Sequence, residues 1–124
     1  MAINGQACIA PEYILCDREV YEELKEELVK TFKVFLGDDP TKSEFVGRIV
    51  NTKHCQRIYD LIANPGEGAK LLYGDIKTCS VEDRLITPFL FEFEKLEQFG
   101  NSNLAKEEIF GAVLYMTVFD KIEQ

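Results

Sequence analysis

Apolar residues recur at helical spacing through a charged stretch near the start of the chain. They lie three or four residues apart, at Val20, Leu24, Leu28, Phe32 and Phe35. This spacing gathers them on one side of a helix. The pattern therefore predicts an amphipathic helix over Arg18–Leu36, whose glutamates and lysines form a solvated face. Asp17 is placed to cap the start of this helix, and Gly37 is placed to end it.

A shorter apolar stripe predicts a second helix further along the chain. Its members are Cys55, Ile58, Tyr59 and Ile62. Either Asn51 or Thr52 can cap the first turn, and the run Asn64-Pro65-Gly66 ends the helix. On this helix Cys55 is interpreted as a small core residue.

Four short apolar runs have the composition of β-strands. They cover residues 13–16, Ala69–Tyr73, residues 85–91 and residues 112–119. Pro88 has no N–H for a strand ladder, so it indicates an edge, an end or a bulge in the third run. Helices that alternate with strands predict an α/β fold, in which the helices pack on a largely parallel sheet.

Composition and charge restrict the function classes. The chain has 124 residues, enough for one domain, and it is 46% hydrophobic and 29% charged, as soluble globular proteins are. Its net charge of −8 would repel a phosphate backbone, so we expect no nucleic-acid partner. No apolar run reaches the roughly 18 residues of a membrane span, and no signal peptide pattern opens the chain. We therefore expect a cytoplasmic location and no membrane segment.

The cysteines do not form a metal-binding or disulfide pattern. The chain has four cysteines and one histidine, and it contains no Cys-x-x-Cys pair. His54 and Cys55 are adjacent on a predicted helix, where neighbouring side chains point apart. We therefore expect no metal site and reduced thiols.

One cysteine lies in a setting that suits a nucleophile. Cys8 belongs to the segment Gly5-Gln6-Ala7-Cys8-Ile9-Ala10-Pro11-Glu12-Tyr13-Ile14-Leu15-Cys16. Gly5 and Ala7 are small and leave the backbone open to a substrate, and Pro11 directs the chain into the following strand. The segment resembles the Gly-Gln-x-Cys active-site signature of the aldehyde dehydrogenase superfamily. Its continuation is similar to the class 3 and fatty aldehyde dehydrogenase branch.

Three later segments extend the resemblance over nearly the whole chain and in the same order. Asn51-Thr52-Lys53-His54 resembles the start of a family helix, and Arg84-Leu85-Ile86-Thr87-Pro88 resembles a family strand. Glu107-Glu108-Ile109-Phe110-Gly111 is similar to the second signature of the family. Ala112 stands where the family usually has proline. Residues 92–106 are longer than the family connector and contain the loop-like run Asn101-Ser102-Asn103.

The resemblance implies oxidation of an aldehyde to a carboxylic acid with NAD or NADP, through a cysteine thiohemiacetal and thioester. It implies that Cys8 is the catalytic nucleophile and that its backbone N–H stabilises the developing oxyanion. It implies that Glu108 binds the nicotinamide ribose of the cofactor and that Phe110 packs near the nicotinamide ring. The competing interpretation is that Glu107 and Glu108 are a surface pair and that Phe110 is a core residue. Cys16, at a strand end, is interpreted as structural.

The resemblance also implies that residues 1–124 are a partial catalytic domain. The cofactor-binding domain, the general-base glutamate, the second oxyanion donor and the C-terminal segment are expected outside this chain, and the full-length protein is expected to be a homo-oligomer. Two alternatives stay open: a non-catalytic truncated homologue or interaction module, and residual thiol-esterase or redox reactivity of Cys8. A sheet cut from its neighbours would leave unpaired edges and uncovered apolar faces, such as that of residues 112–119, and would self-associate.

Overall fold

The computed structural model describes the backbone of residues 2–123 and the side chains from Asn4 to Glu123. Its main elements are three α-helices and four β-strands within that range. In chain order they are β1 (Tyr13–Asp17), α1 (Arg18–Leu36), α2 (Thr52–Ala63), β2 (Ala69–Tyr73), β3 (Phe89–Phe93), α3 (Leu96–Asn101) and β4 (Val113–Phe119). The predicted bounds of α1 and β2 are confirmed.

The four strands form one sheet in the order β1-β4-β3-β2. β4 pairs in parallel with both β1 and β3, and only β2 runs antiparallel, against β3. The register places Tyr13 opposite Tyr115 and Phe89 opposite Val113. The predicted α/β fold with a largely parallel sheet is confirmed. β1, from the start of the sequence, is thus an edge strand that pairs with β4, from the end of the sequence.

Helix α1 covers one face of the sheet. Asp17 caps it by accepting a hydrogen bond of 2.9 Å from the Glu19 N–H, and Gly37 ends it with φ 69°. Its apolar side chains pack on alternate residues of the strands, among them Leu90, Leu114, Met116 and Val118. The buried carboxylate of Glu92 faces the same helix and accepts a hydrogen bond of 2.8 Å from the Tyr21 hydroxyl.

Helix α2 covers the opposite face. Of the two predicted caps the structure uses Asn51, whose side chain accepts from the His54 N–H at 2.7 Å. The stripe of Cys55, Ile58 and Ile62 packs on the other alternate residues of the strands, which are Phe89, Phe91, Phe93, Val113 and Tyr115. Cys55 is fully buried, as predicted. Both faces of β3 and β4 are therefore covered, as is usual for parallel strands.

Two predictions need correction. The third strand starts only after Pro88 and continues to Phe93, because residue 88 cannot donate to the ladder. Residues 92–106, for which no conformation was predicted, contain α3 and a 3₁₀ turn at Asn103–Ala105, capped by Ser102. The expectation of an uncovered apolar face at residues 112–119 is wrong, since residues 112–118 are buried between α1 and α2.

Candidate active site

Cys8 lies at the corner of a tight turn ahead of β1. The turn is closed by a hydrogen bond of 3.0 Å from the Ala10 N–H to the Ala7 carbonyl oxygen, which leaves Cys8 and Ile9 at its corners. The Cys8 side chain is exposed. Its backbone N–H donates to no acceptor in residues 2–123. The turn thus presents a thiol and a backbone donor side by side.

Two side-chain amides hold this turn in place. The Gln6 amide donates to the Arg48 carbonyl oxygen and accepts from the Val50 N–H, each at 2.9 Å. The buried Asn4 amide donates to the Ile86 carbonyl oxygen at 3.1 Å. Because these partners lie more than forty residues further along the chain, the turn is tied to the body of the domain. Neither role was predicted, although Gln6 is part of the quoted motif.

The second predicted site segment, residues 107–111, runs directly before β4. Glu108 is exposed, Ile109 is fully buried and Phe110 is half-buried. Phe110 has φ 55°, in the left-handed region that residues with a β-carbon seldom adopt. Of the competing interpretation, the exposure of Glu107 and Glu108 agrees with a surface pair, whereas Phe110 is half-buried and not a fully buried core residue.

The two segments line one cleft of about 310 Å³. Its walls come from residues 5–12 on one side and residues 108–113 on the other, and they include Cys8, Glu108 and Phe110. The structure thus brings together all three residues that the sequence singled out, from positions a hundred residues apart.

Glu12 joins the two walls of the cleft. Its carboxylate accepts a hydrogen bond from the Ile109 N–H, and its carbonyl oxygen accepts one of 3.2 Å from the Tyr115 N–H. Gly5 lies against the Gly111 carbonyl group at the base of the cleft. Sequence reasoning missed Glu12, although it stands four residues after Cys8 within the motif.

A family model described as the aldehyde dehydrogenase family matches residues 1–124. This chain belongs to the aldehyde dehydrogenase family.

Relatives of this aldehyde dehydrogenase chain are longer than it is. The dimeric NADP-preferring aldehyde dehydrogenase of Canis lupus familiaris is 36% identical over 121 residues, which are 98% of this chain and 24% of the relative. The protein of the same name from Bos taurus is 37% identical, and 46% of it is covered. A substrate-bound structure of Staphylococcus aureus AldH superposes with a TM-score of 0.82 at 30% identity, covering 97% of this chain and 24% of that one. The chain spans less than half the length of each of these relatives.

The other thiols of this aldehyde dehydrogenase chain have different surroundings. Cys16 and Cys55 are buried, and burial raises the pKa of both thiols, which keeps them protonated near neutral pH. Cys79 is half-buried, and its sulfur lies 3.6 Å from the Thr87 hydroxyl, outside the cleft. Among the four cysteines only Cys8 is exposed.

Between residues 2 and 123, no three side chains of the His, Cys, Asp or Glu type are grouped so that they could hold a metal ion. No helix in that part of the chain is long and apolar enough to cross a membrane.

Proposed function

We propose that this chain supplies the nucleophile and part of the cofactor-facing wall of an aldehyde dehydrogenase. The observation that supports it most directly is the shared cleft of Cys8, Glu108 and Phe110. In the proposed reaction the Cys8 thiolate bonds to the carbonyl carbon of an aldehyde, and the carbonyl π electrons move to the oxygen. A thiolate suits this step because it is strongly nucleophilic toward a carbonyl carbon.

The backbone N–H of Cys8 would stabilise the oxygen as it becomes negative. It has no protein acceptor in the described residues, and it lies at the corner of the turn that carries the thiol. A preorganised donor of this kind favours the tetrahedral adduct over the free aldehyde. Loss of hydride from that adduct gives a thioester on Cys8, and water then hydrolyses it to the carboxylic acid.

A nicotinamide nucleotide, NAD or NADP, would accept that hydride when bound. The described residues fit such a group in two respects: Glu108 offers an exposed carboxylate that can accept from ribose hydroxyls, and Phe110 offers a half-exposed aromatic ring beside it. We propose these two residues as its contacts. The substrate is a small-molecule aldehyde, and the expected homo-oligomer and cytoplasmic location stay predictions.

The intact mass of the native gene product first gives its length. The test then mixes that protein with aldehydes and with NAD or NADP, and measures reduction of the nucleotide by absorbance. The C8S variant is expected to lower kcat/KM on the order of a thousandfold or more, because a serine hydroxyl is barely ionised at neutral pH. The matched control is C79S, which removes a thiol outside the cleft and is expected to keep the wild-type rate. A C8S variant as active as C79S would overturn the proposal.

A further inference from the structure

Three consecutive backbone carbonyl groups of the cofactor-facing wall turn toward helix α2. Arg57 donates to the Glu108 carbonyl oxygen at 3.3 Å and to the Ile109 carbonyl oxygen. His54 lies one turn earlier on the same helix, and its Nε2 is 2.9 Å from the Phe110 carbonyl oxygen. Two side chains of α2 therefore hold every carbonyl of residues 108–110.

The two side chains also hold each other. The Arg57 guanidinium donates from Nη2 and Nε to the Nδ1 atom of His54, at 3.0 and 3.2 Å. Arg57 Nη2 also lies 3.4 Å from His54 Nε2, so the guanidinium contacts both ring nitrogens. Arg57 therefore packs directly against the side chain that contacts the Phe110 carbonyl oxygen.

These contacts coincide with an unfavourable backbone conformation. Phe110 has φ 55°, and such conformations persist only where the surroundings hold them. On the other side of the segment, the Ile109 N–H is held by the Glu12 carboxylate. With the backbone held from both sides, the side chains of Glu108 and Phe110 face the cleft that they share with Cys8.

The ion pair of Arg57 does not account for this arrangement by itself. Arg57 Nη1 lies 3.0 Å from a Glu107 carboxylate oxygen, but the Glu107 side chain is 49% exposed. Exposed ion pairs of this kind contribute little to stability. By contrast, only a planar guanidinium, with its several N–H donors, can reach two carbonyl oxygens and an imidazole at once.

We propose that Arg57, acting with His54, is a positioning residue that sets the backbone of residues 108–110 and thereby the binding of a nicotinamide nucleotide. The inference rests on the proposed function, since it takes Glu108 and Phe110 as the nucleotide contacts. Arg57 itself lines a different, polar cleft on the outer side of α2, so it acts through the loop and not by touching the nucleotide.

The test compares R57Q and R57K with K53Q in the native protein. K53Q removes a positive charge from the same helix at an exposed position and serves as the matched control. We expect R57Q to weaken NADH or NADPH binding, followed by nucleotide fluorescence, by roughly ten- to a hundredfold, with the KM for aldehyde unchanged. R57K keeps the charge but loses the fork, so it is expected to be nearly as weak as R57Q. K53Q is expected to bind like wild type.

Two further measurements separate the possible failures. Hydrogen exchange of the amides of residues 109–111 needs no nucleotide, and R57Q is expected to speed it at least about tenfold relative to K53Q. Unchanged exchange in R57Q would overturn the positioning role. E107Q removes only the ion pair, and an E107Q variant that binds nucleotide as weakly as R57Q would also overturn it. A wild-type protein that binds no nucleotide, with exchange in R57Q still accelerated, would sink the proposed function and leave the loop-holding role of Arg57 standing.

Discussion

A β-carbon added to Gly5 would stand 2.0 Å from the carbonyl oxygen of Gly111. Gly5 of the cysteine motif is therefore in contact with Gly111 of the second motif, and a larger residue at position 5 would clash with it. From the sequence, the role predicted for Gly5 was to leave the backbone open to a substrate. The structure adds a packing reason, because the two walls of the cleft meet at this point.

Replacing Gly5 with alanine is expected to destabilise the protein strongly. Gly5 has φ 78° and Gly37 has φ 69°, and alanine adopts either conformation only with strain on the order of 1–3 kcal/mol. Nothing lies within 4 Å of a β-carbon at Gly37. The clash at Gly5 should add a further 1–3 kcal/mol or so. Urea unfolding of G5A and G37A measures the difference, and equal losses would contradict the contact.

The thiols are expected to react with iodoacetamide in a definite order. Cys8 should be modified first because it is exposed, and Cys79 should follow because it is half-buried. Cys16 and Cys55 should react only after unfolding, since burial shields them and raises the pKa of both thiols. Peptide mass spectrometry over a time course at neutral pH measures this order. Modification of Cys16 or Cys55 as fast as Cys8 would show that the two helices do not cover the sheet as described.

Stability is expected to fall at high pH through Tyr115. Burial, and secondarily the nearby Glu12 carboxylate, raise the pKa of this phenol to about 12 from its usual 10. A group whose pKa is raised by folding stabilises the native state below its unfolded pKa and loses that contribution as pH rises. The loss attributable to Tyr115 should reach up to about 3 kcal/mol between pH 10 and pH 12.

The Y115F variant isolates this contribution, because Tyr21 is buried too and its pKa is also raised. Denaturant unfolding at a series of pH values is expected to show a shallower decline above pH 10 for Y115F than for wild type. Parallel curves for wild type and Y115F would contradict the burial of this hydroxyl.

The 124-residue chain, expressed alone, is expected to self-associate. β1 and β2 are the outer strands of the sheet, and no described residue pairs with their outer edges. Leu15 on β1 is 48% exposed and Leu71 on β2 is 47% exposed. Unpaired strands with apolar side chains pair readily with other chains. Sedimentation velocity measures the effect, and a monodisperse monomer would contradict it.

A charge placed on the edge strand tests which surface associates. L15K should shift the distribution toward monomer, because lysine on an edge strand opposes pairing. V34K changes an even more exposed residue on helix α1, where Val34 is 74% exposed, and is expected to have little effect. If V34K dissociates the assembly to the same extent as L15K, the contact between chains is made by helix α1 and not by the sheet edge.

The sequence by itself determined the local elements and singled out the residues of the candidate site. The bounds of α1 and its two end residues followed from apolar spacing and capping, because both act over three or four residues. The motif around Cys8 and the segment of Glu108 and Phe110 were recognisable as stretches of contiguous sequence. Pro88 indicated an edge, an end or a bulge, because its missing N–H is a property of one residue, and the structure has a strand that starts just after it.

Only the tertiary structure decided how the two motifs meet. The parallel pairing of β1 with β4 and the hydrogen bond from the Ile109 N–H to Glu12, 97 residues away, leave no periodic signal in the sequence. The hydrogen bonds from Arg57 to the carbonyl oxygens of Glu108 and Ile109 likewise leave no periodic signal in the sequence. Such contacts depend on which faces of the sheet the helices cover, and this is settled by packing of the whole core and not by local propensity.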